Sequence, residues 1–149
     1  VYQLKGRTPD KPCIILISAL IDLKKFNIKK LTGATLTLLK KLWPGKISVI
    51  LPLAGAVEKF AYLHRGTETL AFRLPAVAWL QKFIKKTGPL IAPSANPEGR
   101  PPAQTITDAK KYFGPAGSGI DFYLAGGRLV GKPSTLIKIK DGKMMVIRL

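Results

Sequence analysis

The residues best equipped for chemistry lie in loops far apart in the chain. Leu90-Ile91-Ala92 is an apolar run of strand type that stops at Pro93, and Ser94-Ala95-Asn96 then leads into a loop, Pro97-Glu98-Gly99-Arg100-Pro101-Pro102. In an extended segment Ser94 and Asn96, two apart, put a hydroxyl and an amide on one face. Strand ends of that kind build ligand sites in α/β proteins, and the same residue types also make ordinary polar turns. Near the start, Lys5-Gly6-Arg7 with Lys11 forms a cationic loop ahead of a strand. Arginine offers a fixed fork to phosphate oxygens and lysine a mobile point charge, while Gly6 permits close backbone approach. An exposed loop with typical charges would read the same way. Thr67-Glu68-Thr69 leads into Arg73, which stands between Phe72 and Leu74 in an apolar strand. If buried, Arg73 needs a partner, met by a ligand carboxylate or by a structural Asp or Glu. A fourth feature is the glycine-punctuated loop from Gly126-Gly127 through Gly131-Lys132-Pro133-Ser134-Thr135.

What is missing narrows the chemistry. There is no P-loop signature and no GxGxxG. The lone His64 cannot furnish a multi-histidine metal site or a convincing Ser-His-Asp set, and reads as surface or loop; no metal site is expected. Cys13, beside Ile14-Ile15-Leu16-Ile17, reads as core. Acids number 8 against 25 Lys+Arg, a formal charge of +17. That leaves few candidates for carboxylate acid/base catalysis and favours polyanions such as RNA, nucleotides or anionic membrane as partners. The lysine pairs are scattered, so part of the charge is a solvated face. The inventory suits binding of anions by cations and hydroxyls, with chemistry resting on positioning and charge stabilisation, as in phosphoryl or nucleotidyl transfer.

These residues need a scaffold. A chain of 149 residues with 46% hydrophobic and 22% charged content suits one ordered domain, here 1–149. No signal peptide or spanning-length apolar run is visible, and the expected location is cytoplasmic, with no membrane. Val1–Leu4 reads as the tail of a helix, 5–12 as a basic loop, and Cys13–Ser18 as a buried strand. Thr32 caps a helix that ends before Pro44-Gly45, and Ile47–Leu53 is a strand. Residues 54–68 read as loop or short helix. Leu70–Leu74 is a strand, after which Pro75 opens a helix to about Lys86 with Val77, Leu80, Phe83 and Ile84 on one face. Leu90–Ala92 is a strand. Thr105 and Asp108 have capping-box spacing ahead of a helix reaching Phe113. Ile120–Leu124 reads as a strand, and Leu136–Lys140 with Lys143–Arg148 as a hairpin about Asp141-Gly142. Strands alternating with helices, then a hairpin, indicate an α/β fold with a mixed sheet.

The four features, in this order, resemble the YrdC-like family, the threonylcarbamoyl-AMP synthases. Lys5-Gly6-Arg7 matches its KxR motif and Ser94-Ala95-Asn96 its SxN motif. Further matching blocks are Trp43-Pro44-Gly45, Thr69-Leu70-Ala71-Phe72-Arg73-Leu74-Pro75 and Pro133-Ser134-Thr135-Leu136-Ile137 followed by Arg148. The resemblance spans nearly the whole chain. It implies a twisted open mixed sheet with flanking helices, and a nucleotidyltransferase that makes threonylcarbamoyl-AMP and pyrophosphate from L-threonine, bicarbonate and ATP. That product serves threonylcarbamoyladenosine modification of tRNA by partner proteins. By resemblance, Lys5, Arg7, Lys11, Thr69, Ala92, Pro102 and Arg148 line the ATP site, and Arg73, Ser94 and Ser134 hold threonine. Lys5, Arg7, Ser94 and Asn96 are the catalytic set, and Mg2+ is expected with the phosphates.

Members of the family begin with a strand and a P-T-[DE]-T-V-Y-G segment, which this sequence lacks. The abrupt start at Val1 then reads as N-terminal truncation, with an incomplete threonine pocket. Some members have a histidine where Leu16 stands. The resemblance also allows two alternatives: a non-catalytic module binding double-stranded RNA or tRNA, and a carbamoyltransferase of the same fold using carbamoyl phosphate.

Overall fold

The computed structural model describes residues 1–140 and 143–149. The chain divides into two compact units, Pro12–Ala92 with Pro133–Leu149, and Val1–Lys11 with Pro93–Lys132.

The larger unit is built on a mixed six-stranded sheet. Its strands are β1 (Ile14–Leu16), β2 (Ile47–Pro52), β3 (Thr69–Arg73), β4 (Leu90–Ile91), β5 (Thr135–Lys140) and β6 (Lys143–Arg148), in spatial order β4-β1-β3-β2-β5-β6. β1 runs parallel to β3 and β2 parallel to β5, while the other neighbours are antiparallel. This is the α/β mixed sheet expected from the sequence. Register aligns Ile15, Phe72, Val49 and Ile137 across four strands, and all four are buried. That row is the spine of the core, since cross-strand neighbours on one face stabilise a sheet as a set. Phe26 closes over it, edge-on to Phe72 at 5.0 Å and tilted against Phe60 at 5.7 Å. Cys13 is buried, as expected.

The helices of this unit follow their local signals, with one exception. α2 (Gly33–Leu42) starts at Thr32, whose side chain accepts from Thr35 N, and it buries Leu39. Residues 54–68 hold a 3-10 turn at Val57–Phe60 and the short α3 (Ala61–His64). α4 (Ala78–Thr87) begins three residues later than Pro75. Pro75 is instead fully buried and its carbonyl accepts from Gln81 Nε2 at 2.6 Å, so the proline ends the strand rather than opening the helix. Of the apolar stripe, Ile84 is buried while Val77 and Phe83 remain exposed. The antiparallel β5–β6 pairing agrees with the expected hairpin; its Asp141-Gly142 turn lies outside the described residues.

The smaller unit contains α1 (Tyr2–Lys5) and α5 (Ile106–Phe113). α1 ends on Gly6 at φ 56, a left-handed C-cap natural to glycine. α5 has the full capping box: Thr105 accepts from Asp108 N, and the Asp108 carboxylate accepts from Thr105 N. Ile120–Leu124 is not a strand. Its alternation supplies the faces of a strand, but the segment has no ladder partner in its unit, and Phe122 and Leu124 stay exposed.

Candidate functional site

The cationic loop and the Ser-Ala-Asn loop meet in the smaller unit, held by Lys5. That side chain is 5% exposed. Its ammonium donates to the carbonyls of both Ser94 and Asn96 and lies 6.0 Å from the Phe113 ring centroid. The backbone is tied as well, with Glu98 N donating to Lys5 O at 2.8 Å. The Ser94–Asn96 segment is therefore not extended. Asn96 N donates to Ser94 O at 3.0 Å, closing a tight turn about Ala95. The expectation that alternation puts both side chains on one face gives way to a bend that brings the two carbonyls together around one cation.

Asn96 is fixed by its amide, Nδ2 donating to Pro97 O at 2.8 Å and Arg100 O at 2.7 Å. Its Oδ1 is buried and accepts no hydrogen bond from the described residues. Ser94 is exposed, and Pro102 is exposed in the same loop. On the cationic side, Arg7 Nε donates to Lys11 O at 3.3 Å, and Tyr2 OH donates to the same carbonyl at 2.8 Å. Lys11 pairs with Glu98, whose Oε2 also accepts from Thr8 N and Thr8 Oγ1. The Lys11 hydrogen bond, aided by those from Thr8, holds the Glu98 carboxyl down to about 2. A cavity of about 380 Å³ adjoins this cluster within the unit, lined by Lys5 and Ser94 and by apolar side chains such as Leu4, Ile106 and Phe113.

In the larger unit the remaining sequence-predicted residues divide by position on the sheet. Arg73 ends β3, Ser134 precedes β5 and Arg148 ends β6, all at one end of the sheet. Arg73 Nε donates to Gly45 O at 2.9 Å; its outer nitrogens make no hydrogen bond among the described residues. Partial burial lowers its pKa. Gly45 itself is required, because a Cβ there would sit 2.8 Å from Leu42 O. The Ser134 hydroxyl is buried against that of Ser48 at 2.8 Å, and Arg148 Nη2 donates to Ser134 O at 2.9 Å. Thr69 opens β3 at the opposite end, opposite Pro52, and Ala92 follows β4 with its N–H on Ile14 O at 2.9 Å.

Three residues escaped the sequence reading. Glu98 was legible only as one of few acids, placed in the loop facing the basic one. Ser48 sits in an apolar strand, where a hydroxyl signals a buried partner. His64 is a correction: it is 5% exposed, not surface. Its Nδ1 accepts from Gly66 N at 3.1 Å and Glu68 N at 3.3 Å, which leaves Nε2 to donate to Val57 O at 3.1 Å. The imidazole thus stitches the loop that enters β3, a structural task.

An open mixed α/β sheet, with a basic loop clamped by a buried lysine to a Ser-Ala-Asn turn, defines the class. The chain belongs to the Sua5/YciO/YrdC family, whose model, described as telomere recombination, matches residues 1–149. It is similar to a threonylcarbamoyl-AMP synthase of Nitrosococcus oceani, 33% identical over 144 residues, covering 96% of this chain and 74% of that protein. A structure of an alanine-substituted Pyrococcus abyssi Sua5 matches with TM-score 0.84 and 30% identity, over 99% of this chain and 44% of that one. P. abyssi Sua5 complexed with L-threonine matches with TM-score 0.81 and 28% identity. The chain spans 99% of itself but only 42% of that structure. No helix among the described residues is long and apolar enough to cross a membrane.

Proposed function

We propose that this chain provides the threonylcarbamoyl-AMP synthase site, condensing L-threonine, bicarbonate and ATP to threonylcarbamoyl-AMP and pyrophosphate for tRNA modification. The observation that carries the reading is the Lys5 clamp, which draws the cationic loop and the Ser-Ala-Asn turn into one cluster. In that arrangement Lys5 sets the turn, while Arg7 and Lys11 supply positive charge for a triphosphate. Arg73 has outer guanidinium nitrogens suited to the planar carboxylate of an amino acid. The buried, unmatched Asn96 Oδ1 suits a substrate N–H or O–H donor, since an orphaned buried acceptor is costly unless a ligand meets it.

The chemistry is a displacement at phosphorus. The threonine amine attacks the bicarbonate carbon, a C–O bond breaks and water leaves, giving a carbamate. A carbamate oxygen then attacks the α-phosphate; the bond to the bridging oxygen breaks, and pyrophosphate departs with the electron pair. The protein's part is to position the reactants and offset charge gathering on the leaving group. Among the described residues no three or more His, Cys, Asp or Glu side chains stand together as a metal cage. We therefore read Mg2+ as entering with ATP on its phosphates.

The test is pyrophosphate release that requires both threonine and bicarbonate. Arg7→Ala should weaken ATP use by about 1.5–3 kcal/mol, the range for a lost charged hydrogen bond, and Arg73→Ala should raise the KM for threonine more than that for ATP. Joined to the N-terminal strand and P-T-[DE]-T-V-Y-G segment that family members carry, the chain should show that release, and its absence there would refute the proposal. The charge of +17 also favours an RNA-binding reading. That reading expects RNA affinity indifferent to Arg73→Ala and no turnover.

A further inference from the structure

The loop that carries Lys11 is already closed by a carboxylate. Glu98 Oε2 accepts from Thr8 N at 2.7 Å and Thr8 Oγ1 at 3.0 Å, while Oε1 accepts from Lys11 Nζ. An amide, a hydroxyl and an ammonium converging on one oxyanion is also the donor set that phosphate oxygens use. The carboxylate stands where such an oxygen would go. The Lys11 and Glu98 side chains are 51% and 30% exposed, so anions in solution can reach both. Exposed pairs of this kind are weak enough to exchange. Displacing the carboxylate also needs no unfolding of its loop, because the Glu98 backbone is anchored separately through its N–H on Lys5 O.

We propose that Thr8 and Lys11 form an oxyanion seat with Glu98 as its resident occupant, which the phosphates of ATP displace on entry and which competes with pyrophosphate after the reaction. This rests on the nucleotide reading of the cationic loop and adds a residue that sets how tightly that loop grips its anion. Glu98 holds the loop closed and its donors satisfied while no phosphate is bound. Its return to the seat weakens the hold on pyrophosphate, favouring release.

Calorimetric titration of the intact chain with inorganic pyrophosphate, at fixed ionic strength, tests this. Glu98→Gln should bind pyrophosphate at least about 5-fold more tightly, the factor equivalent to removing one like charge at roughly 4 Å in water. That gain should vanish when Lys11→Ala is added. Equal or weaker binding by Glu98→Gln, or a gain that survives Lys11→Ala, overturns the proposal. A second measurement avoids mutation: pyrophosphate added to the unmutated chain should move the Thr8 amide resonance and leave that of Ile137 in place. An unmoved Thr8 amide also overturns it. None of these readouts needs turnover. Failure of threonine-dependent catalysis with these results intact would strike only the functional reading; the reverse outcome would strike only the Glu98 proposal.

Discussion

A lysine ammonium buried to 5% exposure and bonded to two carbonyls is a structural part as well as a charge. Lys5→Met keeps most of the stem but orphans the Ser94 and Asn96 carbonyls, and should cost about 1.5–3 kcal/mol per charged hydrogen bond removed. Urea unfolding measures that loss. His64 makes the parallel case in the other unit: His64→Ala leaves Gly66 N, Glu68 N and Val57 O without their shared partner, an expected loss of about 1–3 kcal/mol by the same measurement. Glu98 gives a pH signature. Its folded pKa of about 2 lies below its ordinary 4.5. The contribution is therefore complete above the unfolded value and lost as pH falls from about 4.5 toward 2. Protection of the Thr8 amide, its exchange rate measured against the intrinsic rate at each pH, should fall over that window, and Glu98→Gln should abolish that fall. Asp22 is held low differently. Burial alone would raise it, and hydrogen bonds from Lys25, Ser18 and Ala19 outweigh that. Its carboxylate thereby anchors the 3-10 helix Leu20–Phe26 to the end of β1.

At the scale of elements, local chemistry was readable wherever it was self-contained. Thr32 and the Thr105–Asp108 box mark their helix starts because a cap needs only neighbours within three residues. Thr105→Ala should accordingly cost about 1 kcal/mol in thermal or urea unfolding. Strand order was not readable, since the pairing of Ile47 with Thr135 joins residues far apart in sequence. Ile120–Leu124 misled because alternation describes faces and says nothing about a partner. The same limit hid the bend at Ala95, imposed by a lysine some ninety positions away. β6 carries the opposite problem. Met144, Met145, Val146 and Ile147 are all exposed on an edge strand, a template for unwanted pairing. Val146→Lys should raise the concentration at which light scattering first detects association, with little change in unfolding midpoint.

Across the whole molecule, a charge of +17 makes every anion a candidate partner, and specificity has to come from geometry. Salt separates the two. Nonspecific polyanion binding should fall steeply between low and physiological ionic strength, whereas threonine binding through the proposed Arg73 contact should depend on it much less. The fold class was legible because strand patterns are local records, and the meeting of the two motif loops in one cluster was legible only through the family resemblance. The division of labour among those residues was not, since it depends on which atoms end up enclosed. Lys5 offers a practical handle on that enclosure. Amine-reactive acylating reagents attack only neutral, accessible lysine nitrogens, and most of this chain's lysines stand in solvent while Lys5 is wrapped by carbonyls and a ring. Mass mapping after brief acylation should find Lys5 among the last to be tagged, and the pace of its tagging would clock how often the clamp lets go.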